Sequence, residues 1–288
     1  MTETQQSVMG RVAAIWRYPV KSMIGQSVDT AVLGPLGLDG DRGWATRDEV
    51  RGGIRGAKKI GELMLFAARY VDGIGGVVEI TLPDGTTTRT DEPDVNERVS
   101  AALGHDVTLW PLQPETDLDH YRRGAADSDD VMVELRSIFG RTEDEPLPDF
   151  SIFPPEIIEF ESPPGTYLDA FPLLVMTTSA LRSIADALPD AAVDVRRFRP
   201  NLVVDTGDAA GHPEFGWVGR QARVGGAVIQ LGAACPRCVM VTRAVTPEIP
   251  ADRSVLRHIV GELDQNVGIY GTVLEPGPIA LGDTFELI

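Results

Sequence analysis

Residues 196–205 read RRFRPNLVVD, and this stretch carries the clearest fold signal in the chain. Its first half places three arginines within four positions, which is costly unless they face an anion, because the guanidinium fork suits phosphate and carboxylate. Pro200 stiffens the turn and Asn201 offers a two-sided amide. The stretch predicts an anion-binding turn and a β-type run over residues 198–205; a solvated basic edge is the alternative.

Short β-type runs continue from this stretch to the C-terminus. Gly, Pro and Asp turns separate them at a spacing of roughly 8–12 residues in places, the pattern of a barrel or sandwich. Among these runs we expect a strand over residues 238–243. Helical spacing appears at residues 180–188, after a Thr-Thr-Ser sequence, and at 254–262. The C-terminal part, residues 166–288, is therefore predicted to be mainly β with some helix, an α+β fold.

The N-terminal part, residues 1–112, also contains strand signals. A hairpin is expected over residues 77–90 and a short helix over 94–103. The composition then changes, because residues 113–165 are acidic and Pro-rich. We interpret that segment as a linker or a long variable loop, with a short helix possible at Val131–Phe139.

Composition excludes several classes of function. The chain has 288 residues, a formal net charge of −17 and two cysteines. This charge argues against nucleic acid and against an anionic membrane surface as partners. Two cysteines cannot form a disulfide framework. Residues 1–10 lack a secretion-signal pattern and no apolar run approaches the length of a membrane span, so a cytoplasmic protein is expected.

The cysteine pair lies in the sequence CPRC at residues 235–238. A thiolate is a soft metal ligand, and the cation of Arg237 lowers the pKa of a neighbouring thiol. A metal or cofactor thiolate is the favoured interpretation. A structural zinc site, a thioredoxin-like redox pair and two inert buried cysteines are the alternatives.

Two further groups of residues are candidate anion sites. A predicted strand ends in YPVKS at residues 18–22, where Lys21 and Ser22 offer an ammonium group and a hydroxyl. Thr177, Thr178 and Ser179 precede a helix, where backbone N–H groups and the helix dipole favour an anion. For the threonine–serine group an ordinary helix cap is the alternative.

Taken together, these motifs resemble the MOSC superfamily with its N-terminal companion domain, and within it the amidoxime-reducing-component branch. The matching segments are YPVKS at 18–22, the LDGDR turn at 38–42, RFRPN at 197–201, CPRC at 235–238 and the Gly-rich tail at 266–283. The resemblance implies a MOSC-type β-barrel preceded by a smaller β-rich N-terminal domain. It also implies the molybdenum cofactor, Mo-molybdopterin, held by one cysteine on the metal.

The resemblance also assigns residues and partners. We favour Cys238 as the metal ligand, with Cys235 as the alternative, because Cys238 is expected to begin a β-run. The resemblance implies that Lys21, Ser22, Arg42, Arg199 and Asn201 bind the cofactor. The residue patterns add Lys58, Thr177, Thr178, Ser179, Arg197 and Arg237 as candidate cofactor-binding residues.

The implied activity is reduction of N-hydroxylated compounds. Because no ferredoxin-like extension follows Ile288, electrons are expected from a separate ferredoxin- or cytochrome-type donor. A non-catalytic cofactor carrier and a dithiol redox protein are the rival hypotheses.

Overall fold

The computed structural model describes residues 7–288 and combines strands with short helices. The strands are β1 (Ser7–Arg17), β2 (Gln26–Val28), β3 (Thr30–Gly34), β4 (Gly37–Leu38), β5 (Trp44–Asp48), β6 (Ala67–Tyr70), β7 (Val78–Thr81), β8 (Thr87–Arg89), β9 (Val107–Pro111), β10 (Leu173–Thr177), β11 (Leu202–Asp205), β12 (Gln221–Val224), β13 (Ala227–Pro236), β14 (Asn266–Glu275), β15 (Gly277–Ala280) and β16 (Thr284–Leu287). The helices are α1 (Val95–Leu103), α2 (Leu118–Tyr121), α3 (Val131–Phe139), α4 (Thr178–Ala187), α5 (Val195–Phe198) and α6 (Ser254–Glu262). Short 3-10 helices occur at Gly61–Leu65, Phe150–Ile152, Pro155–Ile158, Pro213–Trp217 and Val239–Thr242.

A closed seven-stranded barrel forms the centre of the C-terminal part. Its strands follow the order β11-β10-β14-β13-β12-β16-β1, and β1 closes it by pairing with both β16 and β11. Only β10 and β11 pair in parallel. Gly10 allows β1 to approach its neighbour, because a Cβ at that position would lie 2.0 Å from the carbonyl oxygen of Asp205. The first strand of the chain is thus part of the C-terminal barrel.

The barrel is filled by apolar side chains such as Ile15, Val175, Leu202, Ile229 and Phe285, all almost completely buried. The N-terminal strand β2 pairs with β1 at the edge of the barrel. The other N-terminal strands, together with β15, form three small sheets, β15-β3-β4, β5-β9 and β6-β7-β8. A separate apolar core lies beneath them and includes side chains of α1. Strand β15, near the C-terminus of the chain, pairs with β3 and so connects the C-terminal part to the N-terminal part.

Most predicted elements agree with the structure. The mainly β fold with helices is confirmed, and α1, α6 and the β7–β8 hairpin lie where periodicity placed them. The strand expected over residues 198–205 is present as β11, but it begins only at Leu202. Residues 195–198 form α5 instead, because the Asp194 side chain caps it by accepting from the amide of Arg196. The strand expected over residues 238–243 is wrong. Residues 239–242 form a 3-10 helix, since β13 ends at Pro236, which has no N–H for a continuing ladder.

The acidic, Pro-rich segment 113–165 contains α2, α3 and two 3-10 helices. Tyr121 and Phe160 of this segment pack into a small core with Ala45, Ile54 and Tyr167. In the part of the chain that the structure describes, no helix has the length and apolar character needed to cross a membrane. The prediction that residues 1–10 lack a secretion signal concerns residues 1–6, which lie outside the described residues, as well as the start of β1.

Candidate cofactor site

A cavity of about 970 Å³ lies where the barrel, the N-terminal strands and segment 113–165 meet. Its lining draws on all three parts of the chain. Most of the residues that sequence reasoning selected line it: Lys21, Ser22, Arg42, Lys58, Arg197, Arg199, Asn201, Cys235, Arg237 and Cys238. The structure therefore brings together motifs that lie more than 200 residues apart in the sequence (238 − 21 = 217).

Arg199 is the most unusual cation of the cavity wall. It follows α5 in the left-handed region, with φ of 60°, and its guanidinium lies 4.2 Å from the ring centre of Tyr18. Its Nη1 donates to the carbonyl oxygens of Ser22 and Met23, whereas its buried Nη2 has no partner. Burial lowers the pKa of Arg199 to about 10. An unpaired donor on a buried cation is costly, which is the arrangement expected where an anion completes the site.

The two cysteines have different surroundings, and neither forms a disulfide. Cys235 is buried near the end of β13, and its Sγ accepts a hydrogen bond of 3.0 Å from Nη1 of Arg237. Burial raises the pKa of the Cys235 thiol, although Arg237 opposes this. Cys238 is half-buried and lines the cavity at the start of the 3-10 helix Val239–Thr242. Our structural reason for preferring Cys238, that it begins a β-run, was therefore wrong, but its position makes it the more accessible thiol.

Two lysines, the buried Lys21 and the half-buried Lys58, share one carboxylate in the cavity. Asp169 Oδ1 lies 2.6 Å from Nζ of Lys21, and Oδ2 lies 3.2 Å from Nζ of Lys58. Burial alone would raise the pKa of Asp169, but the two lysines hold it well below its usual value. Burial likewise disfavours the charged form of Lys58, but Asp169 and Cys238 hold its pKa above the usual value. The Asp169 side chain remains 46% accessible because it faces the cavity, although protein surrounds it.

Arg42 and Ser22 lie beside these groups. The guanidinium of Arg42 is 5.1 Å from the Tyr18 ring centre and pairs with Asp41. The Ser22 hydroxyl accepts from the amide of Ala57 at 2.8 Å. Tyr18 thus lies against two cations and orients both of them. This part of the wall combines several cations and a free thiol with the shared carboxylate of Asp169, while the other two carboxylates of the cavity, Glu134 and Glu161, pair with Lys59 and Arg123. Such a set of charges suits an anionic ligand.

Arg197 and Asn201 line the cavity, but their polar groups already have partners. Arg197 is completely buried and donates to the carbonyl oxygens of Ala192 at 2.8 Å, Arg243 at 2.9 Å and Pro250 at 2.6 Å. Asn201 donates to Asp41 and to the Trp16 carbonyl, and its Oδ1 accepts from Leu174 N. Both side chains hold the wall together, so neither has a free donor for a ligand in this arrangement.

The structure does not bring Thr177, Thr178 and Ser179 to the cavity. Thr177 caps α4 by accepting from the amide of Ala180 at 3.1 Å, as a helix-capping residue does. Its hydroxyl donates to the buried Glu214 at 2.7 Å. Ser179 bonds to the hydroxyls of Thr177 and Thr206, and Thr178 donates to Asp205.

Sequence reasoning missed Asp169 and Tyr18. Asp169 lies at the edge of the acidic segment, where it cannot be distinguished from many solvated carboxylates. A signal was nevertheless available, since two lysines placed in one cavity require a counter-charge. Tyr18 was quoted as part of a motif but was not assigned a role, and only the fold shows that both arginines lie against its ring.

Protein side chains alone do not form a metal site in the described part of the chain. Across residues 7–288, no group of three or more His, Cys, Asp or Glu side chains could hold a metal ion. A metal bound at Cys238 would therefore need further ligands from a cofactor. Buried nitrogen atoms without partners surround the cavity, namely Nη2 of Arg199 and Nε of Arg237, and these fit an anionic cofactor.

Comparison with known families identifies both parts of the chain. Residues 164–286 match the MOSC domain, and residues 9–116 match the MOSC N-terminal beta barrel domain. The chain thus contains a MOSC domain and a MOSC N-terminal beta barrel domain. MOSC domains are associated with binding of the molybdenum cofactor.

Individual relatives of this MOSC protein are distant. It is 25% identical to mitochondrial amidoxime reducing component 2 of Bos taurus over 313 aligned positions, which cover 96% of this chain and 82% of the bovine protein. The crystal structure of the YuaD protein from Bacillus subtilis aligns with a TM-score of 0.45 at 12% identity and covers 98% of this chain and 97% of that one. YiiM from Escherichia coli aligns with a TM-score of 0.31 at 21% identity, over 44% of this chain and 58% of that one.

Proposed function

We propose that this MOSC protein binds the molybdenum cofactor in the cavity, with Cys238 as a ligand to the metal. The observation that carries the proposal is the unpaired, buried Nη2 of Arg199 in the wall of a cavity that also contains the half-buried Cys238 thiol. A soft thiolate suits molybdenum, and a guanidinium fork suits the phosphate of the pterin.

The proposed roles of the other residues follow from their contacts. Arg199 and Arg42, fixed against Tyr18, bind the cofactor's phosphate end. Lys58 keeps its charge through its ion pair with Asp169, so it adds a cation to the same wall of the cavity. Lys21 donates to Asp169, Ser162 and the Tyr167 carbonyl, which fixes this side of the wall.

We further propose that the protein reduces N-hydroxylated compounds. The support is the 25% identity over 96% of the chain to an amidoxime reducing component. When bound, the cofactor supplies two-electron chemistry for removal of the oxygen atom of an N–O bond. The overall reaction consumes two electrons and two protons and yields the N–H compound and water. The protein would hold the cofactor, orient the substrate and receive electrons from a separate ferredoxin- or cytochrome-type protein.

The test is turnover by protein that has been loaded with cofactor and whose molybdenum content has been measured. With a reduced viologen dye as electron source, benzamidoxime should be reduced many times per molybdenum atom. A Cys238→Ser variant is the control, because it should retain the fold and lose the metal. Failure to exceed one turnover per molybdenum across several N-hydroxylated substrates would favour a cofactor carrier. A metal-free protein that cycles between dithiol and disulfide would favour the redox-pair alternative.

A further inference from the structure

The cavity has an apolar outer wall that the cofactor site leaves unexplained. Val131, Glu134, Leu135, Ile138 and Phe139 all line it from α3. Their spacing of three and four residues places them on one face of the helix. The structure leaves every α3 residue at least partly accessible. An apolar helix face that lines a cavity and is not covered by its own protein is suited to an apolar ligand.

A second group of apolar side chains in the same segment also lines the cavity and contacts α3. Phe150, Phe153, Ile157 and Ile158 line the cavity there, with prolines 154 and 155 between them. The ring of Phe150 meets that of Phe139 of α3 edge to face, with 5.6 Å between centroids. Ile158 is 82% exposed and Phe150 41% exposed, so this wall also has apolar surface to offer.

Ion pairs and a hydrogen bond fix this segment to both halves of the protein. Lys59 of the N-terminal part bonds to Glu134 of α3 and lies 3.1 Å from Asp127. On the barrel side, Nη2 of Arg141 donates to the carbonyl oxygen of Arg237 at 3.0 Å. The apolar wall is therefore held in place relative to the CPRC sequence, and it can select a ligand by shape.

We propose that the substrate is an N-hydroxylated compound with an aromatic or branched aliphatic body, and that this body binds between α3 and residues 150–158. The inference rests on the proposed function, which places the reacting N–O group near Cys238. Because one continuous cavity holds both the thiol and the apolar walls, a substrate with its N–O group at Cys238 can extend its body along them. Glu134 lies on this face, but its partner Lys59 neutralises its charge, so the wall favours an uncharged body.

The test compares matched substitutions on the two faces of α3. Val131→Ser and Leu135→Ser make the cavity face polar, whereas Val133→Ser makes the same valine-to-serine change at an exposed position that does not line the cavity. Each variant is assayed with benzamidoxime, which has an apolar ring, and with hydroxylamine, which has none. Binding of benzamidoxime is also measured by calorimetry without reductant.

Leu135→Ser should lower kcat/KM and the calorimetric affinity for benzamidoxime about tenfold, mainly through KM, because loss of apolar contact in a pocket has this order of effect. Hydroxylamine turnover should not change, and Val133→Ser should behave as wild type with both substrates. Equal losses for both substrates, or no change in benzamidoxime binding in either cavity-face variant, would overturn the inference. If wild type binds benzamidoxime through this wall but turns over neither substrate, the proposed reductase function fails while the assignment of the apolar wall stands.

Discussion

Replacing Arg199 by Met distinguishes the contribution of this residue to the free energy of unfolding from its contribution to cofactor affinity. The change removes the stacking on Tyr18 and the two hydrogen bonds from Nη1 to the carbonyls of Ser22 and Met23. Cation–π stacking contributes about 2 kcal/mol when desolvated, and hydrogen bonds to charged groups about 1.5–3 kcal/mol each. The substitution also removes a buried cation, whose desolvation costs several kcal/mol, and an unpaired donor that costs about 1–3 kcal/mol.

These opposing contributions nearly cancel in the protein without cofactor. We expect the free energy of unfolding of Arg199→Met to lie within about 2 kcal/mol of wild type, since replacement of buried charges by apolar groups is often neutral. Both residues pay the same backbone strain at the left-handed φ of 60°, because both carry a Cβ. Cofactor affinity should behave differently. Loss of a buried charge-assisted contact costs about 2–5 kcal/mol, which is about 30-fold or more in affinity.

The matched control is Arg197→Met, two residues away. Its guanidinium donates to the carbonyls of Ala192, Arg243 and Pro250, and all three would lose their donor in a buried environment. We expect this variant to lose about 3–5 kcal/mol of stability while the molecules that remain folded bind cofactor with unchanged affinity. Arg199→Met should show the reverse pattern.

The assay combines two measurements on each variant. Unfolding in urea gives the change in stability of cofactor-free protein. Pterin fluorescence and molybdenum content, measured after reconstitution with a sub-stoichiometric supply of cofactor in competition with wild type, give relative affinity. If Arg199→Met takes up cofactor as well as wild type does, or if it unfolds as readily as Arg197→Met, then the unpaired Nη2 does not mark the anion site.

Three other predictions concern the metal ligand, the electron donor and the carboxylate of Asp169. Metal analysis should find molybdenum lost in Cys238→Ser and largely kept in Cys235→Ser; full occupancy in both would exclude a thiolate ligand. Because the net charge is −17, the rate with a protein donor that has a basic contact face should fall as ionic strength rises, while the dye-driven rate stays level; a flat salt profile would contradict steering. Lys21 and Lys58 hold the pKa of Asp169 low despite burial, so the stabilisation that Asp169 supplies is present above its ordinary pKa and lost as pH falls through its folded pKa. The difference in urea midpoint between wild type and Asp169→Asn should therefore shrink below about pH 4, and a difference independent of pH would refute this.

The elements that sequence patterns predicted well are those with local determinants. The helix α1 begins after Asp94 and ends at Gly104 with φ of 64°, and both ends are recognisable from residue type alone. The run of residues after Cys238 is as apolar and β-branched as the strands of the barrel. It nevertheless forms a 3-10 helix, because no partner strand continues beside it. Strand propensity needs a neighbouring strand, and the sequence does not state which strands are neighbours.

The same limit applies to the site. The YPVKS, RFRPN and CPRC motifs predict cations and a thiol. Only the fold shows that all three motifs line one cavity. The closure of the C-terminal barrel by β1 is what carries the N-terminal motif there, because YPVKS directly follows that strand. Helix α3 was expected at Val131–Phe139, although the average composition of its segment is acidic. Its apolar face was given no role, because helical spacing shows that one side is apolar but not that this side lines a cavity.

The three arginines of residues 196–199 show why such a motif cannot be interpreted from charge alone. Arg196 pairs with Asp194 at the surface of α5, Arg197 uses its donors to hold the backbone together, and Arg199 lies against Tyr18 with one donor left without a partner. Identical side chains thus have three different roles. Arg196 pairs with the capping residue Asp194, Arg197 holds backbone segments together, and Arg199 keeps one donor without a partner. A satisfied buried cation contributes to the fold, so its removal tests stability. A buried cation with an unpaired donor carries a desolvation penalty that no contact within the described chain offsets. A ligand that accepts a hydrogen bond from this donor would offset it. This asymmetry is why we propose Arg199, rather than its neighbours, as the residue that binds an anion.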